Sequence, residues 1–91
     1  MAWEVHYKRQ FLKELAQLPS TARGRVEEIV FGPQIKEDPF LLGKVQKLAG
    51  YKTFYKIRVG SYRVGLQINA ETQQIEFMRV LHRREIYRKF P

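Results

Sequence analysis

Lys56, Arg58 and Arg63 flank the dipeptide Gly60-Ser61, and His82, Arg83 and Tyr87 stand together near the end of the chain. Each type suits phosphate chemistry. Arginine presents a planar fork to phosphate, histidine titrates near neutrality, and tyrosine can stack on a base or share a proton. Lys52, Arg84 and Arg88 are further cations placed to bind a polyanionic substrate.

Gly60-Ser61, between two β-rich runs, signals a two-residue hairpin, and such a turn fixes register. Val59 then faces Tyr62, Ile57 faces Val64 and Tyr55 faces Leu66, which makes one side apolar. The other side sets Arg58 against Arg63 and Lys56 against Gly65. Like charges directly opposed cost roughly 0.2–1 kcal/mol, so a sheet built for stability alone avoids them. Glycine weakens a strand interior and marks a place where a ligand or another backbone comes close. Together these predict a floor for phosphate, three cations converging on a gap with no side chain. The plainer alternative is a solvated outer sheet face; the Arg58/Arg63 opposition and the lack of any acid on this hairpin favour phosphate.

The elements that must hold these groups follow from periodicity. Residues 3 to 7 alternate apolar with polar and predict a strand with Trp3, Val5 and Tyr7 on one face. Phe11, Leu12, Leu15 and Leu18 form a helical stripe stopped by Pro19. Ser20 then reads as the N-cap of a second helix carrying Ala22, Val26, Ile29 and Val30. Gly32-Pro33 predicts either a kink or a separate last turn bearing Ile35, ended by Asp38-Pro39.

Beyond Gly43 the period changes to two, giving strands at Val45–Leu48, Phe54–Val59, Tyr62–Asn69 and Ile75–His82. The last is apolar on both parities, with Ile75, Phe77 and Leu81 on one side and Met78 and Val80 on the other, as an interior strand would be. The tail from Arg83 to Phe90 suits a short helix with Ile86 and Phe90 on one face. The expected fold is α+β: an N-terminal strand, an αα hairpin packed on an antiparallel β meander, and a short C-terminal helix. Residues 1–91 read as one domain.

Seventeen Lys and Arg against nine Asp and Glu give a formal charge of +8. Cations prevail near the end, where Arg79, Arg83, Arg84, Arg88 and Lys89 meet only Glu76 and Glu85. This balance favours a polyanionic partner, though solubility alone could use it. The absence of cysteine excludes disulfides and thiolate metal sites and fits a reducing cytoplasm. The start lacks an apolar leader core and no stretch is long enough to span a membrane, so a cytoplasmic protein without membrane partners is expected. With only His6 and His82, a metal site lacks ligands, and no Gly-rich phosphate loop, nucleophile elbow or paired carboxylates stand out. No cofactor or metal is expected.

The stretches Lys47-Leu48-Ala49-Gly50, Tyr55-Lys56-Ile57-Arg58-Val59-Gly60-Ser61-Tyr62-Arg63-Val64 and His82-Arg83-Arg84-Glu85-Ile86-Tyr87 resemble, in order and spacing, the RelE/ParE superfamily of toxins from bacterial type II toxin–antitoxin modules. For RelE-like members the resemblance implies a ribosome-dependent endoribonuclease, an mRNA interferase that cuts messenger in the ribosomal A site. The ribose 2′-hydroxyl attacks the adjacent phosphate. The partners so implied are the 70S ribosome with its mRNA and a cognate antitoxin protein.

By position, Lys56 matches a catalytic lysine, Arg63 a phosphate-stabilising arginine, Arg83 an arginine near the leaving oxygen, and Tyr87 a tyrosine that stacks on or orients the nucleotide. Arg58 stands where RelE proper has a second lysine; it can hold phosphate but is a poor base. The expected proton acceptor is therefore Lys56 or His82, with Arg58, Arg63 and Arg83 on the phosphorane. Two rival readings share the sequence: a ParE-like inhibitor that binds DNA gyrase without cleavage, and a plain basic RNA-binding module whose binding falls steeply with salt.

Overall fold

A computed structural model of the chain describes residues 2–91, the side chains of Leu41 and Leu42 apart. Strand β1 (Glu4–Tyr7) leads into helices α1 (Arg9–Ala16), α2 (Ser20–Val30) and α3 (Pro33–Glu37), then a 3-10 turn at Pro39–Leu42. Strands β2 (Val45–Lys47), β3 (Phe54–Val59), β4 (Tyr62–Asn69) and β5 (Gln74–His82) follow, and helix α4 (Arg83–Lys89) leaves β5 without a loop. This is the expected mixture of strand, helical hairpin, meander and short last helix.

The strands lie in the order β1-β5-β4-β3-β2. The meander is antiparallel, but β1 pairs parallel to β5, so the sheet is mixed. The helices carry the chain from the β1 edge to the β2 edge across one face. There Phe11, Leu15, Val26 and Val30 pack on Ile57, Val64, Leu66, Ile75 and Phe77, all buried. Each such side chain contributes about 1.5–3 kcal/mol relative to exposure.

Local details resolve or correct the sequence reading. Ser20 is the first residue of α2 rather than its cap; Pro19 holds the N-cap position, and no side chain caps the helix there. Gly32-Pro33 separates two helices: Gly32 is extended, a Cβ on it would collide with the Glu28 carbonyl, and Pro33 opens α3. Asp38 accepts from the Phe40 N–H at 2.9 Å, turning the chain into the 3-10 segment.

The hairpin register is the expected one, with Arg58 opposite Arg63 and Lys56 opposite Gly65. Strand β5 departs from simple alternation. Gly65 pairs with Arg79 and Leu66 with Phe77, so Met78 is an extra residue, a bulge. Phe77 and Val80 are consequently both in the helix-side core. The division of β5 into Ile75/Phe77/Leu81 and Met78/Val80 sides does not hold, because one inserted residue exchanges the faces of everything after it.

Candidate active site

The sheet face opposite α1 and α2 carries Lys56, Arg58, Arg63 and Gly65, and α4 lies across it. Three attachments fix the helix. The Arg83 backbone N–H donates to the Ser61 carbonyl at 2.8 Å, which joins the start of α4 to the hairpin tip. Ile86 and Phe90 are buried on the side of α4 that meets the sheet. At its end, Arg79 Nη1 donates to the Lys89 carbonyl at 3.2 Å.

These attachments present Tyr87, 70% exposed, to Lys56. Lys56 Nζ donates to Tyr87 Oη at 3.5 Å and stands 5.0 Å from the centroid of its ring. A lysine so placed is held by a cation–π contact and a long hydrogen bond together. Residues 31 positions apart are thus brought into one unit.

The expected gap over Gly65 is filled. Phe90 covers it so closely that a Cβ on Gly65 would stand 2.8 Å from three ring carbons. The missing side chain admits an aromatic ring of this same chain rather than an open phosphate pocket. The glycine signal for close approach was right in kind, and Phe90 is what approaches.

Arg63 is turned away from a common centre. It is buried, and its Nη1 donates to the Gly60 and Tyr62 carbonyls at 2.8 and 2.9 Å, closing the β3–β4 turn. Its Nε and Nη2 make no protein hydrogen bond among the described residues. The three cations therefore do not converge as expected: Lys56 meets Tyr87, Arg58 is exposed beside it in register, and Arg63 locks the turn.

His82 is also placed differently. The bulge at Met78 pairs it with Tyr62, on the parity of buried Val59 and Val64 and not of Lys56. Its ring meets Tyr62 edge-on at 5.7 Å, and its Nδ1 accepts from the Arg84 backbone N–H at 3.2 Å. His82 is the side-chain N-cap of α4. Arg83, Arg84 and Arg88 are exposed on α4, and Lys52 is exposed between β2 and β3.

Several contributors escaped the sequence reading. Strand β1 stops pairing with β5 at Phe77, which leaves the Val80 N–H beyond the strand's reach. Glu14 of α1 accepts that N–H at 3.0 Å and binds the Arg79 guanidinium through Nε and Nη2, the shortest contact being 2.6 Å. Burial works to raise the Glu14 pKa, but hydrogen bonds from Arg79, Gln10 and the Val80 N–H outweigh it and hold the carboxyl below its ordinary value. Arg25 of α2 lies against the hairpin tip, 3.3 Å from where a Gly60 Cβ would stand. Nothing in the sequence pairs Glu14 with Arg79, since helix α1 and a bulged strand must both be in place first.

The electrostatics favour an anion. Among the described residues the carboxylate ion pairs are His6–Glu4, Arg79–Glu14 and Lys89–Glu85. Lys56, Arg58, Arg83, Arg84 and Arg88 have no carboxylate in ion-pair contact, so the face is uncompensated. It can attract phosphate, stack a base on Tyr87 and offer an amine at a tyrosine hydroxyl.

Known proteins resemble the chain along nearly its whole length. A family model described as ParE toxin of type II toxin-antitoxin system, parDE, matches residues 5–87. Toxin RelE3 of Methanocaldococcus jannaschii is 38% identical over 89 residues, covering 97% of this chain and 99% of the relative. Toxin RelG of Mycobacterium tuberculosis is 31% identical over 91 residues, covering 98% and 100%. The RelB-RelE antitoxin-toxin complex from Methanococcus jannaschii supplies a structural match with TM-score 0.76 at 37% identity, covering 94% of this chain and 99% of that one.

These matches define the class, a toxin of a type II toxin–antitoxin system. Within it the chain belongs to the RelE/ParE family, and the relatives it resembles are the toxins RelE3 and RelG and the RelE of a RelB-RelE complex.

Proposed function

We propose that this toxin is a ribosome-dependent endoribonuclease that cuts messenger RNA in the ribosomal A site. The observation that carries the reading is the Lys56–Tyr87 unit on a face whose Lys56, Arg58, Arg83, Arg84 and Arg88 have no carboxylate in ion-pair contact among the described residues. In the reaction, the 2′-oxygen of one nucleotide bonds to the adjacent phosphorus and the bond to the 5′-oxygen breaks. A 2′,3′-cyclic phosphate and a 5′-hydroxyl result.

Lys56 takes the 2′-hydroxyl proton and the departing 5′-oxygen takes one from solvent; Tyr87 holds the nucleotide by stacking and its hydroxyl positions Lys56. Arg58 and Arg83 meet the developing phosphorane charge, while Arg63 locks the β3–β4 turn that positions Arg58. His82 supports this site through α4 rather than as the base. Lys52, Arg84 and Arg88 hold flanking phosphates. The ribosome supplies an ordered messenger, and a cognate antitoxin is the protein partner, as RelB is for RelE in the Methanococcus jannaschii complex. We place the activity in the cytoplasm, where translating ribosomes are found.

A second reading is favoured by the description of the matching family model, which names ParE: inhibition of DNA gyrase by binding alone. One experiment separates the two. The purified toxin is added to a cell-free translation reaction, messenger 5′ ends are mapped by primer extension with and without ribosomes, and gyrase supercoiling is assayed in parallel. Ribosome-dependent cuts within translated codons support the nuclease. An intact messenger with inhibited gyrase supports the ParE-like reading.

A further inference from the structure

Beside Lys56, the end of β2, the segment that follows it and the C-terminal end of α4 border a cleft of about 550 Å³, within the range of small-molecule sites. Its lining includes Lys47, Leu48, Tyr51, Lys56, Tyr87 and Phe90. The combination is an apolar floor, two tyrosines that remain open to solvent, and ammonium groups. Tyr51 is 47% exposed.

Tyr51 is held rather than loose. Its N–H donates to the Leu48 carbonyl at 3.2 Å in a turn whose Gly50 has φ +84°. The segment is closed by the Leu48 N–H on the Phe54 carbonyl at 2.9 Å and by Gln67 Nε2 on Thr53 Oγ1 at 3.1 Å. The Tyr51 ring meets Phe54 edge-on at 5.7 Å, and Phe54 meets Phe90 in the same way at 5.7 Å. An aromatic relay therefore connects Tyr51 to Phe90 at the end of α4, the helix that carries Tyr87.

A pre-ordered aromatic ring costs little entropy on binding and stacks any base, while nearby lysines accept the phosphate. We propose that this cleft is a nucleobase subsite, with Tyr51 as a stacking platform for the messenger nucleotide next to the cut phosphate. The assignment rests on the nuclease reading above and adds to it a second stacking contact that holds the bound messenger at the site.

The test uses a 2′-O-methyl adenosine dinucleotide, which binds but cannot be cut, and a counterpart of the same backbone lacking both bases. The full chain, with 13C-labelled tyrosine, is titrated with each and followed by NMR. The base-bearing probe shifts the Tyr51 ring resonances and the abasic probe does not. Y51A weakens binding of the base-bearing probe about fivefold or more and leaves the abasic probe unchanged, whereas Y51F binds as the parent does. Equal binding of the two probes, or Y51A binding as the parent, overturns the subsite.

Ribosome-dependent cleavage keeps the two readings apart. If the parent cuts and Y51A cuts the same codons at the same rate, the subsite is wrong and the nuclease stands. If base-dependent binding needs Tyr51 but the parent cuts nothing, the nuclease is wrong and the nucleobase site stands.

Discussion

Phe90 covers Gly65 at a distance that leaves no room for a Cβ, 2.8 Å from its position to three ring carbons. The C-terminal ring and the strand glycine are therefore one packing unit, and they set how closely α4 approaches the cationic face. G65A is expected to overpack this contact and destabilise the protein by about 1–3 kcal/mol. Because the collision is with Phe90, G65A should cost much less in an F90A background. Urea unfolding of the two single variants and the double variant checks this; costs that simply add would show that the ring is not the obstacle.

Lys56 and Tyr87 meet at the surface of the site, so their loss should affect chemistry far more than folding. K56A is expected to reduce ribosome-dependent cleavage by about 10²-fold or more while shifting stability by no more than about 0.5 kcal/mol. Y87F keeps the ring and removes the hydroxyl that Lys56 Nζ reaches. It should lie between the parent and Y87A. Rates from single-turnover primer extension, with melting curves of the same samples, separate loss of chemistry from loss of fold.

The hairpin that carries the cations was legible because Gly60-Ser61 is a local signal that dictates register to both strands, and the structure has each expected pair from Tyr55/Leu66 to Val59/Tyr62. The side-chain directions were not. Arg63 folds back on the carbonyls of its own turn, a choice made among rotamers that residue types do not specify. The bulge at Met78 leaves no composition signal, yet it moves His82 across the sheet, since side-chain faces alternate with period two. Gly65 and the Ile86/Phe90 face were each visible, but joining them required knowing that α4 folds back onto β4. The parallel pairing of β1 with β5 joins the two ends of the sequence and has no local turn to announce it.

The Glu14–Arg79 pair should make stability depend on acid. The Glu14 carboxyl is below its ordinary value of 4.5 in the folded protein, so the unfolded chain binds a proton at higher pH than the folded one does. Its stabilising contribution is then fully present above 4.5 and is lost as pH falls through the lower folded value. E14A removes one partner of a largely buried pair and leaves the Val80 N–H unsatisfied, at a cost of about 3 kcal/mol near neutral pH. Urea midpoints of the parent and E14Q, measured from neutral pH downward, should converge in that acid range. A constant difference between them would refute the carboxylate's role.

His82 caps α4 through Nδ1, and this separates two roles that alanine alone would confuse. H82A should cost about 1 kcal/mol, the usual loss for an N-cap, and slow cleavage indirectly by loosening α4. Asparagine is a good N-cap residue but has no group that titrates near neutrality. H82N is therefore expected to recover both the stability and cleavage to within a few-fold of the parent, with α4 amide protection from hydrogen exchange restored alongside. If H82N were as stable as the parent yet as slow as K56A, the proton acceptor would be His82, and Lys56 would become a phosphate ligand. Because the bulge at Met78 puts His82 on the parity opposite to Lys56, the first outcome is the one expected.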